Sequence, residues 1–300
     1  MGYTARPNVP ALLMHLTAVE RLAAHVNTLP ADFSRALGED LEYARFGAAL
    51  PELPWFDGLG LEPWFGRGEL PTFTRLISHR SPMAFGIKAS ELVSNGALVG
   101  TEPGLAFVAG YFTQLCVTRS LEPLMQTLLL THRLPGESPS VARSRIEWSW
   151  SLCLLQDLHG SSLVGTPAIR SRLQIRKRHA LTGIGRGLYE LMRVCSQEAL
   201  GSAPSKAEVD GWMRGLSLFS FALGTPLGRF KGAAPNRELF RAPGIDVFAA
   251  VDQGLDHART VLDVLGSMIR RNSFTARSRQ RLLELCPEGS PEQVMRARAA

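Results

Sequence analysis

The chain has 300 residues, 45% of them apolar, with a formal net charge of +6 and a mean hydropathy close to zero. That balance describes a soluble globular protein able to bury a sizeable core. It excludes a membrane-spanning chain, since no apolar run approaches the roughly 20 residues a bilayer needs.

Taken in order, apolar positions at helical spacing follow Pro10 over 10–28, and a second helix is expected over 32–50, ended by Pro51. A Pro/Gly-rich loop, 51–71, leads to helical stretches at 72–79 and 92–99, then to a long apolar helix at 102–131. After the loop at 133–140, helices are expected at 141–158, 184–200, 206–223 and 246–270, with a last short one near 275–285. Strand-type alternation is scarce, so the expected fold is all-α. No low-complexity linker divides the chain, which points to a single helical domain over 1–286 and a polar, frayed tail over 287–300.

Arg carries most of the positive charge, with Lys only at Lys88, Lys177, Lys206 and Lys231. The segments from Arg170 to Arg178 and from Arg270 to Arg281 concentrate it. Such stripes attract phosphates or an anionic lipid surface, so peripheral contact with anionic lipid is one candidate role, and a solvated helix face is the plainer one. Neither stripe interleaves aromatics among its arginines, which argues against nucleic acid. The first residues lack the apolar h-region of a secretory signal, and Arg6 breaks the myristoylation pattern. With the Arg-rich composition, this sets the expected location as the cytoplasm of a bacterium.

Cys116, Cys153, Cys195 and Cys286 are far apart in sequence and form no C-x-x-C pair, so they read as buried free thiols. Gly183-Ile184-Gly185-Arg186-Gly187 lacks the dinucleotide spacing and reads as a helix break or a packing point. Asp157 with His159, and Asp252 with Asp256 and His257, have spacings that suit a metal pair; for the second set, a solvated helix face with acids at i and i+4 is the favoured explanation. Trp55, Phe56, Trp64 and Phe65 in the 51–71 loop are candidates for an exposed recognition surface.

The densest chemistry lies in Gly110-Tyr111-Phe112-Thr113-Gln114-Leu115-Cys116-Val117-Thr118-Arg119-Ser120-Leu121-Glu122-Pro123. Gln114, Thr118 and Glu122 stand at i, i+4 and i+8, so on a helix they project from one face into one site. Upstream, Gly47-Ala48-Ala49-Leu50-Pro51-Glu52-Leu53-Pro54-Trp55 forms an acid-bearing turn, and downstream Arg143 and Glu147 are one helical turn apart.

Together these segments resemble the zinc-dependent phospholipase C family. Its box reads Gly-Tyr-x-x-His-x-x-x-Asp-x-x-x-His-Pro, its turn Gly-Ala-x-x-Pro-Asp-(Ile/Leu)-Pro-aromatic and its later helix His-x-x-x-Glu. The loop from Gly228 to Asp246 and the helix after it are also similar, so the likeness spans roughly 10–265. It implies a compact helical fold of the zinc-dependent phospholipase C and P1 nuclease type. It also implies a site assembled from His15, Glu52, His79, Gln114, Thr118, Glu122, Arg143 and Glu147. Members with intact motifs use metal-activated water to cleave phospholipids on the head-group side of the glycerol.

Here the ligand positions are rewritten. Gln114, Thr118 and Glu122 replace two imidazoles and a carboxylate, Arg143 replaces a third imidazole, and Glu52 replaces an Asp. A neutral amide and a hydroxyl are poor zinc ligands, and a guanidinium cannot ligate at all. The expectation is a degenerate phospholipase C-like protein, with no resident cofactor, in which Arg143 pairs with Glu122 or Glu147 and the polar groups satisfy one another. It would act by binding a partner protein or an anionic ligand. The alternative is a phosphoric-diester hydrolase with a reduced zinc site, its metal held by His15, Glu52 and His79, with Arg143 on a substrate phosphate and Glu52, Glu122, Arg143 and Glu147 as the candidate catalytic groups.

Overall fold

The computed structural model describes residues 11–57, 72–96, 100–161, 163–173, 185–226, 228 and 236–286. The described residues form a compact all-α fold in which the only strands are a two-residue antiparallel pair, Arg241–Ala242 with Ile245–Asp246, turned by Gly244 at φ +77°.

The helices in chain order are α1 (Leu12–Ala24), α2 (Ala31–Glu39), α3 (Leu41–Ala49), α4 (Thr72–Arg75, continued by a π turn, Leu76–Arg80) and α5 (Pro82–Ser94). There follow α6 (Thr101–Thr131), α7 (Pro139–His159), α8 (Ala168–Leu173), α9 (Arg186–Leu200), α10 (Lys206–Leu223), α11 (Val247–Arg270) and α12 (Ala276–Leu285).

Helix α6 is the axis. Every residue from Gly104 to Val117 is buried, as expected of a helix apolar on all sides, and α1, α2, α3, α5, α7 and α11 pack around it. The closest crossing is with α3. A Cβ on Gly110 would lie 1.8 Å from the Ala44 carbonyl oxygen, and one on Gly47 would lie 2.1 Å from that of Phe107. The two glycines therefore let the backbones touch. Next to this contact Tyr111 is buried, and its hydroxyl donates to the Pro82 carbonyl oxygen at 2.8 Å, tying α6 to the start of α5. The Phe85 ring meets it tilted and the Phe112 ring meets it edge-on, and Phe107 packs edge-on against Phe85.

Several helix starts are written in capping residues. Ser138 accepts from the Val141 amide ahead of α7, Ser205 and Glu208 form a capping box on α10, and Asp246 accepts from the Ala249 amide at the head of α11.

Most expected helices recur with ends moved by no more than four residues. Two do not. The stretch expected as one helix over 32–50 is two, because Asp40 leaves the helical region at φ −125°, ψ 38° and serves as both end and start. The helix expected at 92–99 begins at Pro82 instead, since Pro is well placed in a first turn and Met83, Phe85 and Ile87 supply the buried face; 97–99 lie outside the described residues.

The basic stripes are largely paired where they are described. Arg172 meets Glu20, Arg170 stacks over the Phe221 ring at 4.3 Å, Arg270 faces Asp32 and Arg279 contacts Glu91. Arg176, Lys177 and Arg178, the rest of the first stripe, lie outside the described residues. The aromatic recognition surface is also corrected. Phe56 is fully buried against Phe219, at 5.3 Å between ring centres, and Trp55 is half-buried against the core, because a short 3-10 turn (Leu53–Phe56) folds them inward under α10. Trp64 and Phe65 lie outside the described residues, as do Gly183 and Ile184.

Candidate functional site

Four elements deliver the polar residues singled out in the sequence to one place. Helix α6 presents Gln114, Thr118 and Glu122 on successive turns, α1 supplies His15, the turn after α3 supplies Glu52, and α7 supplies Arg143 and Glu147 one turn apart. His79 lies in the π turn after α4, and its side chain is outside the described residues.

The cluster has two joined halves. In the deeper half, Gln114 Nε2 donates to Thr118 Oγ1 at 3.1 Å, and Thr118 Oγ1 is in turn 3.1 Å from His15 Nε2. An amide nitrogen can only donate, so Thr118 Oγ1 accepts from Gln114, while the direction of its bond with His15 Nε2 follows the imidazole tautomer. The other ring nitrogen, Nδ1, faces Glu52 Oε1 at 2.7 Å. This last contact is close but off the hydrogen-bond axis: Nδ1 and the second carboxylate oxygen, Glu52 Oε2, are both buried without an aligned partner. His15 and Glu52 are almost wholly buried, at 3% and 7% exposure.

In the outer half, Arg143 bridges α7 to α6. Its Nη2 and Nη1 donate to the two oxygens of Glu122 at 2.6 and 3.0 Å, and Nη1 also reaches Glu147 Oε1 at 3.5 Å. Gln126, one turn beyond Glu122, donates to the same carboxylate at 2.6 Å. In the sequence, Gln126 is marked only by its i+4 spacing from Glu122.

Glu147 joins the halves. Burial pushes its carboxyl up to about 7, opposed by the Arg143 guanidinium and assisted by Glu52 and then Glu122, with His15 pulling the other way. These groups feel one another's charge across the cluster, and the guanidinium is the fixed positive charge among them. Arg143 itself is held in its charged form by Glu122 and Glu147 in spite of burial.

The donor set does not suit a divalent ion. His15 Nδ1 and Glu52 Oε1, at 2.7 Å, are closer than two ligands of one tetrahedral zinc, which sit about 3.3 Å apart when each bond is about 2.0 Å. Both oxygens of Glu122 are engaged by a permanent cation, and Gln114 and Thr118 bring no charge. The arrangement suits proton sharing, and a fixed charge that neutralises carboxylates, better than it suits Lewis-acid chemistry.

The other acid and His pairs resolve differently. Asp157 is held by Arg237 and Arg241, Asp252 by Arg21 and Asp256 by Arg259. His257 instead turns toward the cysteines. Cys153 and Cys195 are buried thiols whose ionisation burial raises to about 11 and about 12. Cys116 and Cys286, 170 residues apart, touch, with their sulfurs at 3.7 Å. Their mutual hydrogen bond and burial raise Cys116, and the same bond, helped by Arg119, lowers Cys286.

Comparison of the chain with protein-family models, with curated proteins and with solved structures finds no match.

Proposed function

We propose that this chain is a divergent relative of the zinc-dependent phospholipases C whose former ligand positions form a metal-independent polar core, and that it works by binding a partner protein or an anionic ligand without hydrolysing phosphodiesters. What supports this reading most is the grip of Arg143 on both oxygens of Glu122. Two positions that carry imidazoles in the phospholipase pattern hold instead a cation and an anion that neutralise one another. A guanidinium supplies charge without an open coordination position, so it can replace the electrostatic role of a metal but cannot activate water.

The test is hydrolysis of phosphatidylcholine vesicles by the purified chain with zinc in excess. The proposal predicts no release of the phosphorylated head group above the protein-free rate. Release that disappears in His15→Ala or Glu52→Gln would overturn it in favour of a hydrolase with a reduced metal site.

A further inference from the structure

On the face of α6 turned away from the polar cluster, Cys116 meets Cys286 at the end of α12 and His257 of α11. The two sulfurs and one ring nitrogen all lie within 4.8 Å of one another, with both cysteines buried and His257 half-exposed. Among the described residues, this is where three such ligand atoms converge.

The spacing is informative. Two thiolates on one tetrahedral zinc, each with a bond of about 2.3 Å, sit about 3.8 Å apart. The observed sulfur separation, 3.7 Å, matches that span as well as it matches a thiol–thiol hydrogen bond, and a nitrogen of the half-exposed imidazole lies within 4.8 Å of both sulfurs. Two thiolates also balance a divalent charge, which a buried site requires. A second observation points the same way. The Arg119 side chain already hydrogen-bonds Cys286, and its buried Nη1 has no partner among the described residues. A metal-bound thiolate is an acceptor for such an N–H, of the kind that orients and tunes ligating sulfurs.

We propose that Cys116, Cys286 and His257 form a binding site for a thiophilic divalent cation of the zinc class, pinning α12 to α6 and α11. On uptake each thiol gives up its proton to solvent, the two sulfurs and the imidazole each form one bond to the ion, and a fourth position stays open to water or an exogenous ligand. The site is independent of the polar cluster.

The experiment uses the full-length, untagged chain, stripped of metal and kept reduced with a phosphine, titrated with cobalt(II). The expected result is one cobalt per chain with a thiolate-to-cobalt charge-transfer band, displaced by zinc. Cys116→Ser and Cys286→Ser should abolish the band, and Cys153→Ser and Cys195→Ser should keep it. His257→Ala, at a half-exposed position, should weaken binding at least about tenfold while the metal-free chain melts as before. The absence of the band from the folded, reduced chain would overturn the proposal. So would its survival in Cys286→Ser, unchanged affinity in His257→Ala, or a pair that only forms a disulfide on mild oxidation and takes no cobalt when reduced.

Discussion

Arg143 holds Glu122 through two parallel hydrogen bonds, 2.6 and 3.0 Å long, across the interface of α7 and α6, and keeps Glu147 within 3.5 Å on its own helix. One planar cation thus faces two carboxylates from two helices. A fork of this shape suits guanidinium and not ammonium.

Removing the fork should therefore cost more than removing a charge. Arg143→Met leaves Glu122 and Glu147 facing each other with Glu52 behind, and should lower stability by about 2–3 kcal/mol in urea unfolding. Arg143→Lys restores the charge without the bidentate geometry and should recover less than half of that loss.

Glu147 sets a pH dependence. Its carboxyl titrates near 7 in the folded chain against an ordinary value of 4.5, so the fold favours the protonated form. The stabilising contribution is fully present below the ordinary value and is lost as the pH rises through about 7. Between pH 4.5 and about 8, wild type should lose about 2–3 kcal/mol relative to Glu147→Gln, which cannot ionise. Parallel pH profiles for the two proteins would show that Glu147 ionises normally.

The Thr118 hydroxyl serves two partners, Gln114 and His15. Thr118→Val keeps the shape and strands both, so it should destabilise by about 1–2 kcal/mol, whereas Thr118→Ser should cost about half as much or less. Thermal melts of the two variants check the difference.

The α3–α6 crossing gives a steric prediction. Gly110→Ala sets a methyl against the Ala44 carbonyl and should destabilise by about 3 kcal/mol or more, if the variant folds at all. Gly38→Ala in α2 meets nothing within 4 Å and should stabilise by about 0.5 kcal/mol. The same pair of melting curves also reports whether the Gly-Tyr step of the α6 motif is there for backbone approach.

The helices were legible because their signals are local. Gln114, Thr118 and Glu122 sit on one face by arithmetic alone, and the pairing of Arg143 with Glu122 follows once two helices must bury complementary charges. The inward turn of Phe56 was not legible, because whether a loop aromatic packs down depends on where α10 lies. Nor was the meeting of Cys116 with Cys286. Spacing along the chain says nothing about two residues 170 apart, brought together only when α12 folds back over α11. The break at Asp40 was missed for a different reason: the apolar period continues across it, and only the backbone angles disclose two helices.

The proposed function requires Arg143 and Glu122 to stabilise one another without a metal ion. The most direct test is a double-mutant cycle by urea unfolding of wild type, Arg143→Met, Glu122→Gln and the double variant, all in excess chelator. A coupling of about 1–2 kcal/mol that persists in the chelator is the predicted result. Additive losses, or a coupling that emerges only when zinc is supplied, would contradict it.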